Sequence, residues 1–271
     1  MLVTVDTGGT KTLVASFSED GVLGEQFRFE TPHNEHEYLS LLHKTISSHY
    51  KTDDIDALVI ALPGRIDGAG KLIDAPNLGW ENIDLRSELS TFYDCPILIE
   101  NDANLAGLAE ARQLSPTPPT CLYITISTGI GTGIITNGHI DPAYEQSEGG
   151  RMLISHDGAS MPWQDFASGQ AIFKTYGQYA HDITDQTVWR QIAINISVGL
   201  IPLIKHINPD IVIIGGSIGT YFDHYNTQLI KEVKNQIPNN MPAIVIAQHP
   251  EQAVIYGCYY YALDSLTTSE A

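Results

Sequence analysis

A glycine-rich turn near the start of the chain combines residue types that hold phosphate. Asp6, Gly8, Gly9, Thr10 and Lys11 lie in the run Asp6-Thr7-Gly8-Gly9-Thr10-Lys11-Thr12, between two apolar segments. Glycines let the backbone approach a ligand, hydroxyls and lysine bind phosphate oxygens, and a carboxylate suits Mg²⁺. A plain hairpin turn is the alternative for this heptad alone. No glycine directly precedes Lys11, so the run is not a Walker A loop.

A second glycine turn, Thr128-Gly129-Ile130-Gly131-Thr132-Gly133, has the same design. Placing Val5-Asp6-Thr7-Gly8 over Ile126-Ser127-Thr128-Gly129 superposes two strand-turn-strand units, which suggests two related lobes. The glycine spacing differs from a dinucleotide fingerprint, and a strand follows instead of a helix. We expect a second set of phosphate donors here, from Thr128, Gly129 and Gly131. The pair Gly215-Gly216 is a third such turn, or else an ordinary strand exit.

The run Glu100-Asn101-Asp102-Ala103-Asn104 stands where a predicted strand ends and a helix begins. Open α/β sheets place ligand-binding groups at this position. A carboxylate there can accept the proton of a hydroxyl that attacks a phosphoryl group. Asp102 could instead only cap its helix, and for an isolated Asn-Asp pair the cap is the favoured interpretation.

Alternating strands and helices must position these residues. Short apolar runs predict strands, and residues at helical spacing predict helices. The alternation indicates an α/β fold with a central, largely parallel sheet. The predicted strands are 2–6, 12–17, 24–29, 57–62, 96–100, 121–126, 133–136, 210–214 and 243–247. The predicted helices are 35–50, 105–114, 163–179, 186–206, one after residue 219, and 252–263.

Composition narrows the possible partners. The 271 residues carry 14 Lys and Arg against 32 Asp and Glu, a net charge of −18, which disfavours binding to nucleic acid or anionic lipid. The three cysteines, Cys95, Cys121 and Cys258, are too far apart in sequence for a cysteine-rich zinc site or a disulfide framework. We expect no membrane span, because no apolar run approaches the length that a bilayer requires, and no leader, because Met1 runs straight into a predicted strand without a basic segment. The sequence therefore predicts a cytoplasmic protein.

Taken together, the motifs resemble those of the ROK group of sugar kinases and repressors. The heptad at Asp6 looks like its first phosphate motif, and the turn at Thr128 is similar to its second. Pro63-Gly64 and Ala75-Pro76-Asn77-Leu78-Gly79-Trp80 look like its sugar loops, and Glu100-Asn101-Asp102-Ala103-Asn104 looks like its catalytic segment. Asn208-Pro209-Asp210 with Gly215-Gly216 resembles its nucleotide-side strand. The motifs follow in family order along nearly the whole chain.

The resemblance implies an actin-like ATPase (ribonuclease H-like) fold, with two lobes and a cleft between them. We expect residues 1–114 to form the small lobe, 115–251 the large lobe, and the helix in 252–271 to pack back on the small lobe. ATP and Mg²⁺ are implied, with Asp6 near the metal. By the family pattern Asp102 is the general base. The same pattern implies that the residues that bind the sugar include Gly64, Asn77, Asn101, Asp102 and Glu148.

One region departs from the family. Many relatives carry Glu-x-Gly-His and then a cysteine-rich segment that binds zinc. Here Glu148-Gly149-Gly150-Arg151 and a segment from His156 to Gln164 replace them. His156 and Asp157 cannot supply four zinc ligands, so we predict a member without zinc. Two substrate-contacting positions of the family become Arg151 and Gln164. Arg151 could recognise an anionic or N-acyl group on the sugar, or form a salt bridge to Glu148.

The sequence thus predicts an ATP-dependent kinase of a hexose, with glucose as the default substrate. Fructose or an N-acylated hexosamine is an alternative substrate. Two other classes are a sugar-sensing regulator and a sugar-binding pseudokinase. The regulator is disfavoured because the first motif begins at Asp6, and DNA-binding relatives carry a preceding domain. We expect small-molecule partners only, and a homodimer is possible.

Overall fold

The computed structural model describes residues 1–250 and 252–268, the last of these, residue 268, by its backbone alone. These residues divide into two compact units. The first comprises Met1–Ala109 and the described part of the C-terminal segment, and the second is Glu110–Pro250. Residue 251, which ends the predicted large lobe, and residues 269–271 of the predicted C-terminal helix segment lie outside the described residues.

In the residues that the structure describes, the first unit has eight strands. They are β1 Leu2–Thr7, β2 Lys11–Phe17, β3 Leu23–Glu30, β4 Ala57–Leu62, β5 Arg65–Ile66, β6 Leu72–Ala75, β7 Trp80–Ile83 and β8 Ile97–Asn101. Its helices are α1 Glu35–His49, α2 Leu85–Leu89, α3 Asp102–Gln113, which runs into the second unit, and the C-terminal helix Ala253–Thr268. Asn34 caps α1 by accepting hydrogen bonds from the amides of His36 and Glu37.

The main sheet of this unit has the order β3-β2-β1-β4-β8. β1 is antiparallel to β2, whereas β4 and β8 are parallel to β1. All six residues of β4 are buried, as expected for a strand covered on both faces. Because β1, β4 and β8 are parallel, their carboxyl ends meet at one edge. The phosphate turn, the Pro63-Gly64 loop and Asp102 all follow these ends.

The second unit repeats this plan. Its strands are β9 Thr120–Ile126, β10 Ile130–Thr136, β11 His139–Ile140, β12 Leu153–His156, β13 Ala159–Pro162, β14 Ile211–Gly215 and β15 Ala243–Ile246. Its helices are α4 Gln164–Ala167, α5 Gly169–Tyr176, α6 Gln186–Ile207, α7 Gly216–Gly219 and α8 Phe222–Gln236. The C-terminal helix Ala253–Thr268 of the first unit is therefore α9. The sheet order of the second unit is β11-β10-β9-β14-β15, with β9, β14 and β15 parallel. Here too a hairpin leads into parallel strands.

The structure corrects three predictions about the elements. Each five-stranded sheet is mixed, because the hairpin strands pair antiparallel, so neither is largely parallel. The predicted helix 163–179 is broken into α4 and α5 at Ser168, whose hydroxyl caps α5 through the amide of Ala171. Two small antiparallel sheets, β5-β6-β7 and β12-β13, were not predicted, because their strands are only two to four residues long.

Helix α6 is long and apolar enough to cross a bilayer by length and composition alone, which the sequence analysis overlooked. Eight of its residues are buried, and six of these, including Trp189, Ile196 and Leu200, belong to the hydrophobic core of the second unit. A core helix passes the same test, so this observation is weak evidence for a membrane span.

Candidate functional site: two glycine turns and a strand-end aspartate

The first phosphate turn is a tight hairpin connection between β1 and β2. The amide of Gly8 donates a hydrogen bond to the carbonyl of Lys11 at 3.0 Å, and the side chains of Thr10 and Lys11 are exposed. The carbonyl of Thr10 accepts from the amide of Thr31 at 3.0 Å, which ties the turn to the segment before α1. The turn therefore presents polar groups outward from an anchored backbone.

Asp6 occupies the last-but-one position of β1 and is mostly shielded from solvent. Burial raises the pKa of its carboxyl from 3.8 to about 6, while the Arg28 guanidinium acts in the opposite direction. A carboxylate whose charge is poorly solvated gains from a nearby cation. Asp6 therefore fits the role of a magnesium ligand, by the chemistry of its oxygen donors.

The second predicted sugar loop lies beside this turn, and the first packs against the start of the second. A Cβ at Gly9 would lie 3.5 Å from the carbonyl oxygen of Asn77, so the two backbones approach closely. Gly64 has a φ of +98°, and a Cβ there would lie 2.1 Å from the carbonyl oxygen of Asp74. The Pro63-Gly64 turn therefore requires glycine, for both backbone conformation and space.

Asn101, not Asp102, is the residue that precedes α3 and caps it. Its Oδ1 accepts from the amides of Ala103 and Asn104 at 2.8 and 3.1 Å, and its Nδ2 donates to the carbonyl of Gly64 at 2.8 Å. The side chain thus joins the catalytic segment to the first sugar loop. Nδ2 carries a second hydrogen that could contact a sugar hydroxyl.

Asp102 is the first residue of α3 and is partly exposed at the edge where the parallel strands end. Its Oδ1 accepts from the amide of Ala103 at 2.8 Å, a bond shared with the cap of Asn101. The preceding Glu100 is 2% exposed, and its Oε1 accepts from the amide of Asn101 and from Nδ2 of Asn104. The strand-helix junction is therefore held by three neighbouring side chains.

The second phosphate turn is anchored by two other segments of its unit. The carbonyl of Ser127 accepts from the amide of Gly169 at 2.7 Å, and its Oγ accepts from the amide of Ser217 at 3.0 Å. Gly216 has a φ of +78°, and a Cβ there would lie 2.5 Å from the carbonyl oxygen of Ile126. Thr128 is exposed at the tip of the turn.

These contacts bring together the predicted residues Thr128, Gly129, Gly215 and Gly216. Gly131 lies instead within β10, paired with Thr125. Gln164 also belongs to this group, because a Cβ at Gly129 would lie 3.0 Å from its Oε1. The side chain of Gln164 therefore points toward the second phosphate turn.

The segment that carries Glu148 and Arg151 packs directly on β10. A Cβ at Gly150 would lie 2.1 Å from the carbonyl oxygen of Ile130, and the amide of Gly149 donates to Oγ1 of Thr132 at 3.1 Å. Nε of Arg151 lies 3.9 Å from Oε2 of Glu148, with both side chains partly exposed. The salt bridge considered for Arg151 is present, and it is long.

A hairpin occupies the place of the family's zinc segment. β12 and β13 are joined by Asp157 and Gly158, which have φ values of +49° and +78°, as a type I′ turn requires. The ring of His156 stacks on Phe166 at 4.0 Å and lies 3.6 Å from the carboxylate of Asp157. In the part of the chain that the structure describes, no group of three or more His, Cys, Asp or Glu could hold a metal ion. His156 and Asp157 of this hairpin therefore do not fit a tetrahedral zinc site, which takes four ligands.

Two residues that sequence patterns did not single out as functional, Thr7 and Tyr38, connect the first turn to the sugar loop. The hydroxyls of Thr7 and Tyr38 are 2.7 Å apart, and burial raises the pKa of Tyr38. The ring of Tyr38 meets Trp80 edge-on at 4.9 Å, and Nε1 of Trp80 donates to the carbonyl of His33 at 2.7 Å. Tyr38 sits at a helical core position, so its sequence pattern indicated packing alone.

The chain is similar in sequence to sugar kinases and to xylose repressors. A fructokinase of Pediococcus pentosaceus is 25% identical over 240 residues, covering 80% of each protein. A xylose repressor of Bacillus subtilis (strain 168) is 29% identical over 182 residues, so this chain spans about half (47%) of the repressor.

Solved structures confirm the predicted actin-like fold. A ROK family glucokinase from Streptomyces griseus, solved with glucose and AMPPNP, superposes with a TM-score of 0.80 at 20% identity, over 95% of this chain and 97% of that one. The sequence profile of the ROK family matches residues 2–265. The predicted resemblance is therefore confirmed, and the chain belongs to the ROK family.

Proposed function

We propose that this protein is an ATP-dependent sugar kinase that transfers the γ-phosphoryl group to a hydroxyl of a hexose, with glucose as the default. The observation that carries the proposal is the position of Asp102. Its carboxylate is partly exposed where three parallel strands end, while Asn101 supplies the helix cap. A role as general base is the one that this placement favours.

In this proposal each segment has a task. Asp102 takes the proton of the attacking hydroxyl, and Gly64, Asn77, Asn101 and Glu148 hold the sugar. The first turn, from Asp6 to Lys11, and the second, with Thr128, Gly129 and Gly131, bind phosphates together with Gly215 and Gly216. Mg²⁺ would be held by Asp6 and would supply charge neutralisation at the phosphates. We assign the two units to the two lobes of the kinase. The proposal places it in the cytoplasm, where it can form a homodimer and binds no zinc, nucleic acid or membrane.

The identity of the sugar depends on Arg151 and Gln164. Arg151 lies within ion-pair distance of Glu148, so it can tune how this carboxylate meets a hydroxyl. A planar donor fork also suits the carbonyl of an N-acyl group. Fructose and N-acylated hexosamines are therefore the alternative substrates, and the fructokinase relative is an example of a protein named for the first.

A sugar-sensing regulator or a sugar-binding pseudokinase is the second candidate class, because the xylose repressor matches 59% of the chain. Turnover separates these classes from a kinase. We expect sugar-dependent ADP release when the protein meets ATP, Mg²⁺ and a panel of glucose, mannose, fructose and N-acetylmannosamine. If the protein binds a sugar of this panel but releases ADP with none of the four, the kinase is refuted.

The variant Asp102→Asn tests the base directly. Loss of a general base lowers turnover by about 10² to 10⁴, and asparagine keeps the Oδ1 that accepts from Ala103. Asp84→Asn is a matched control, because Asp84 caps α2 through the amide of Ser87 and lies outside the predicted site. A near-normal rate for Asp102→Asn would refute the assignment.

A further inference from the structure

We propose that Tyr38 is a positioning residue that couples the sugar loop to the first phosphate turn, so that sugar and nucleotide bind synergistically. This inference rests on the proposed function. The two segments lie far apart in sequence, because Thr7 ends β1 and Trp80 begins β7. Tyr38, on α1, contacts both of them.

The first link is the hydroxyl pair. Thr7 and Tyr38 are fully buried, and their oxygens are 2.7 Å apart. Thr7 is the last residue of β1 and directly precedes Gly8 of the turn. A buried hydroxyl that loses its partner is costly, so the position of Thr7 depends on where the Tyr38 ring stands.

The second link runs from the Tyr38 ring to the sugar loop. Trp80 is 2% exposed and meets this ring edge-on, with ring centroids 4.9 Å apart. The loop before Trp80 is held against the same helix entry, since Nδ1 of His33 lies 3.3 Å from the carbonyl oxygen of Leu78. A shift of the loop on sugar binding must therefore move or lock the Tyr38 ring.

A second connection runs in parallel along the backbone before α1. Thr31 donates its amide to the carbonyl of Thr10 at 3.0 Å, and its Oγ1 lies 2.9 Å from that of Thr12. Two residues further on, the carbonyl of His33 accepts from Nε1 of Trp80 at 2.7 Å. Segment 31–33 therefore contacts the phosphate turn at one end and the sugar loop at the other. Tyr38 and this segment hold the two loops as one body.

The test is a binding cycle by isothermal titration calorimetry. The Kd of the sugar in the panel that the protein binds most tightly is measured with and without AMPPNP and Mg²⁺. In the wild-type protein we expect AMPPNP to tighten sugar binding. In Tyr38→Phe we expect this tightening to fall about three- to tenfold, as the loss of one buried hydrogen bond allows. Tyr50→Phe is the matched control, because Tyr50 follows the same helix and donates to the carbonyl of Glu25.

A double variant separates coupling from folding. Thr7→Val with Tyr38→Phe removes both hydroxyls together, so no buried oxygen is left unpartnered. We expect it to unfold near the wild-type temperature and to show the same low coupling as Tyr38→Phe alone. Wild-type coupling in either variant, or no effect of AMPPNP in the wild type, overturns the inference.

Failure of the proposed function gives a different result. A wild-type protein that binds sugar more tightly with AMPPNP but never releases ADP refutes the kinase and leaves the coupling standing. A protein that turns sugar over with independent binding of the two substrates refutes the coupling alone.

Discussion

Gly199 lies in the middle of α6, where alanine would ordinarily stabilise a helix. A Cβ at this position would lie 2.1, 2.3 and 2.4 Å from Cδ2, Cε2 and Cγ of Trp163. Trp163 is fully buried, and its Nε1 donates to the carbonyl of Asn195 on the same helix at 3.2 Å. The indole therefore lies flat against the backbone of α6. It fits there only because Gly199 has no side chain.

The sign of Gly199→Ala follows from these distances. Alanine gains about 0.5–1 kcal/mol over glycine inside a helix. The indole must retreat from 2.1 Å to the ordinary contact range, which begins at 3.4 Å. Overpacking of this kind costs about 1–3 kcal/mol, and loss of the Nε1 hydrogen bond costs about 0.5–1.5 kcal/mol more. We expect a net loss of about 0.5–4 kcal/mol in the free energy of unfolding.

Chemical denaturation measures the loss, with tryptophan fluorescence as a probe of the indole. Gly68→Ala is the control, because a Cβ there meets no atom within 4 Å. Since Gln164 follows Trp163 directly, we also expect the KM of Gly199→Ala for sugar or ATP to rise. A Gly199→Ala protein more stable than the wild type would refute the packing argument.

Two further predictions concern charge and metal. The folded pKa of Asp6 is raised to about 6, so its contribution to stability is complete below about pH 4 and is lost as the pH rises through 6. In metal-free buffer we compare the free energy of unfolding of the wild type with that of Asp6→Asn. We expect the wild type's value to fall relative to the variant's by up to about 3 kcal/mol between pH 4 and 7. A difference between the two proteins that does not change with pH would contradict this. We expect EDTA to leave the melting temperature unchanged, because His156 and Asp157 cannot complete a zinc site; a fall of several degrees, of order 1 kcal/mol or more, would show a structural metal.

Periodicity and turn chemistry predicted much of the fold. The all-apolar run 57–62 coincides with β4, and the glycine turns lie where the apolar runs around them stop. The likeness of the two turns anticipated two sheets of one plan. Short strands were missed because two to four residues carry too little alternation to be recognised.

The candidate site, too, could be predicted only in part from the sequence. Strand-end placement pointed to Asp102 from its local context. Local sequence could not decide whether Asn101 or Asp102 caps α3, because both residues accept amide hydrogen bonds well. Only the Asn101 contacts, to two amides and to Gly64, decide between them.

By itself, the sequence determined the strand-turn-strand units, the carboxylate at a strand end and the family. Tertiary structure alone decided that Thr7 meets Tyr38, that Gly199 seats Trp163 and that Arg151 approaches Glu148. The first two pairs are far apart in the chain, and hydrophobic periodicity reports only which face of an element is buried. Which side chains meet there depends on the packing of whole elements against one another.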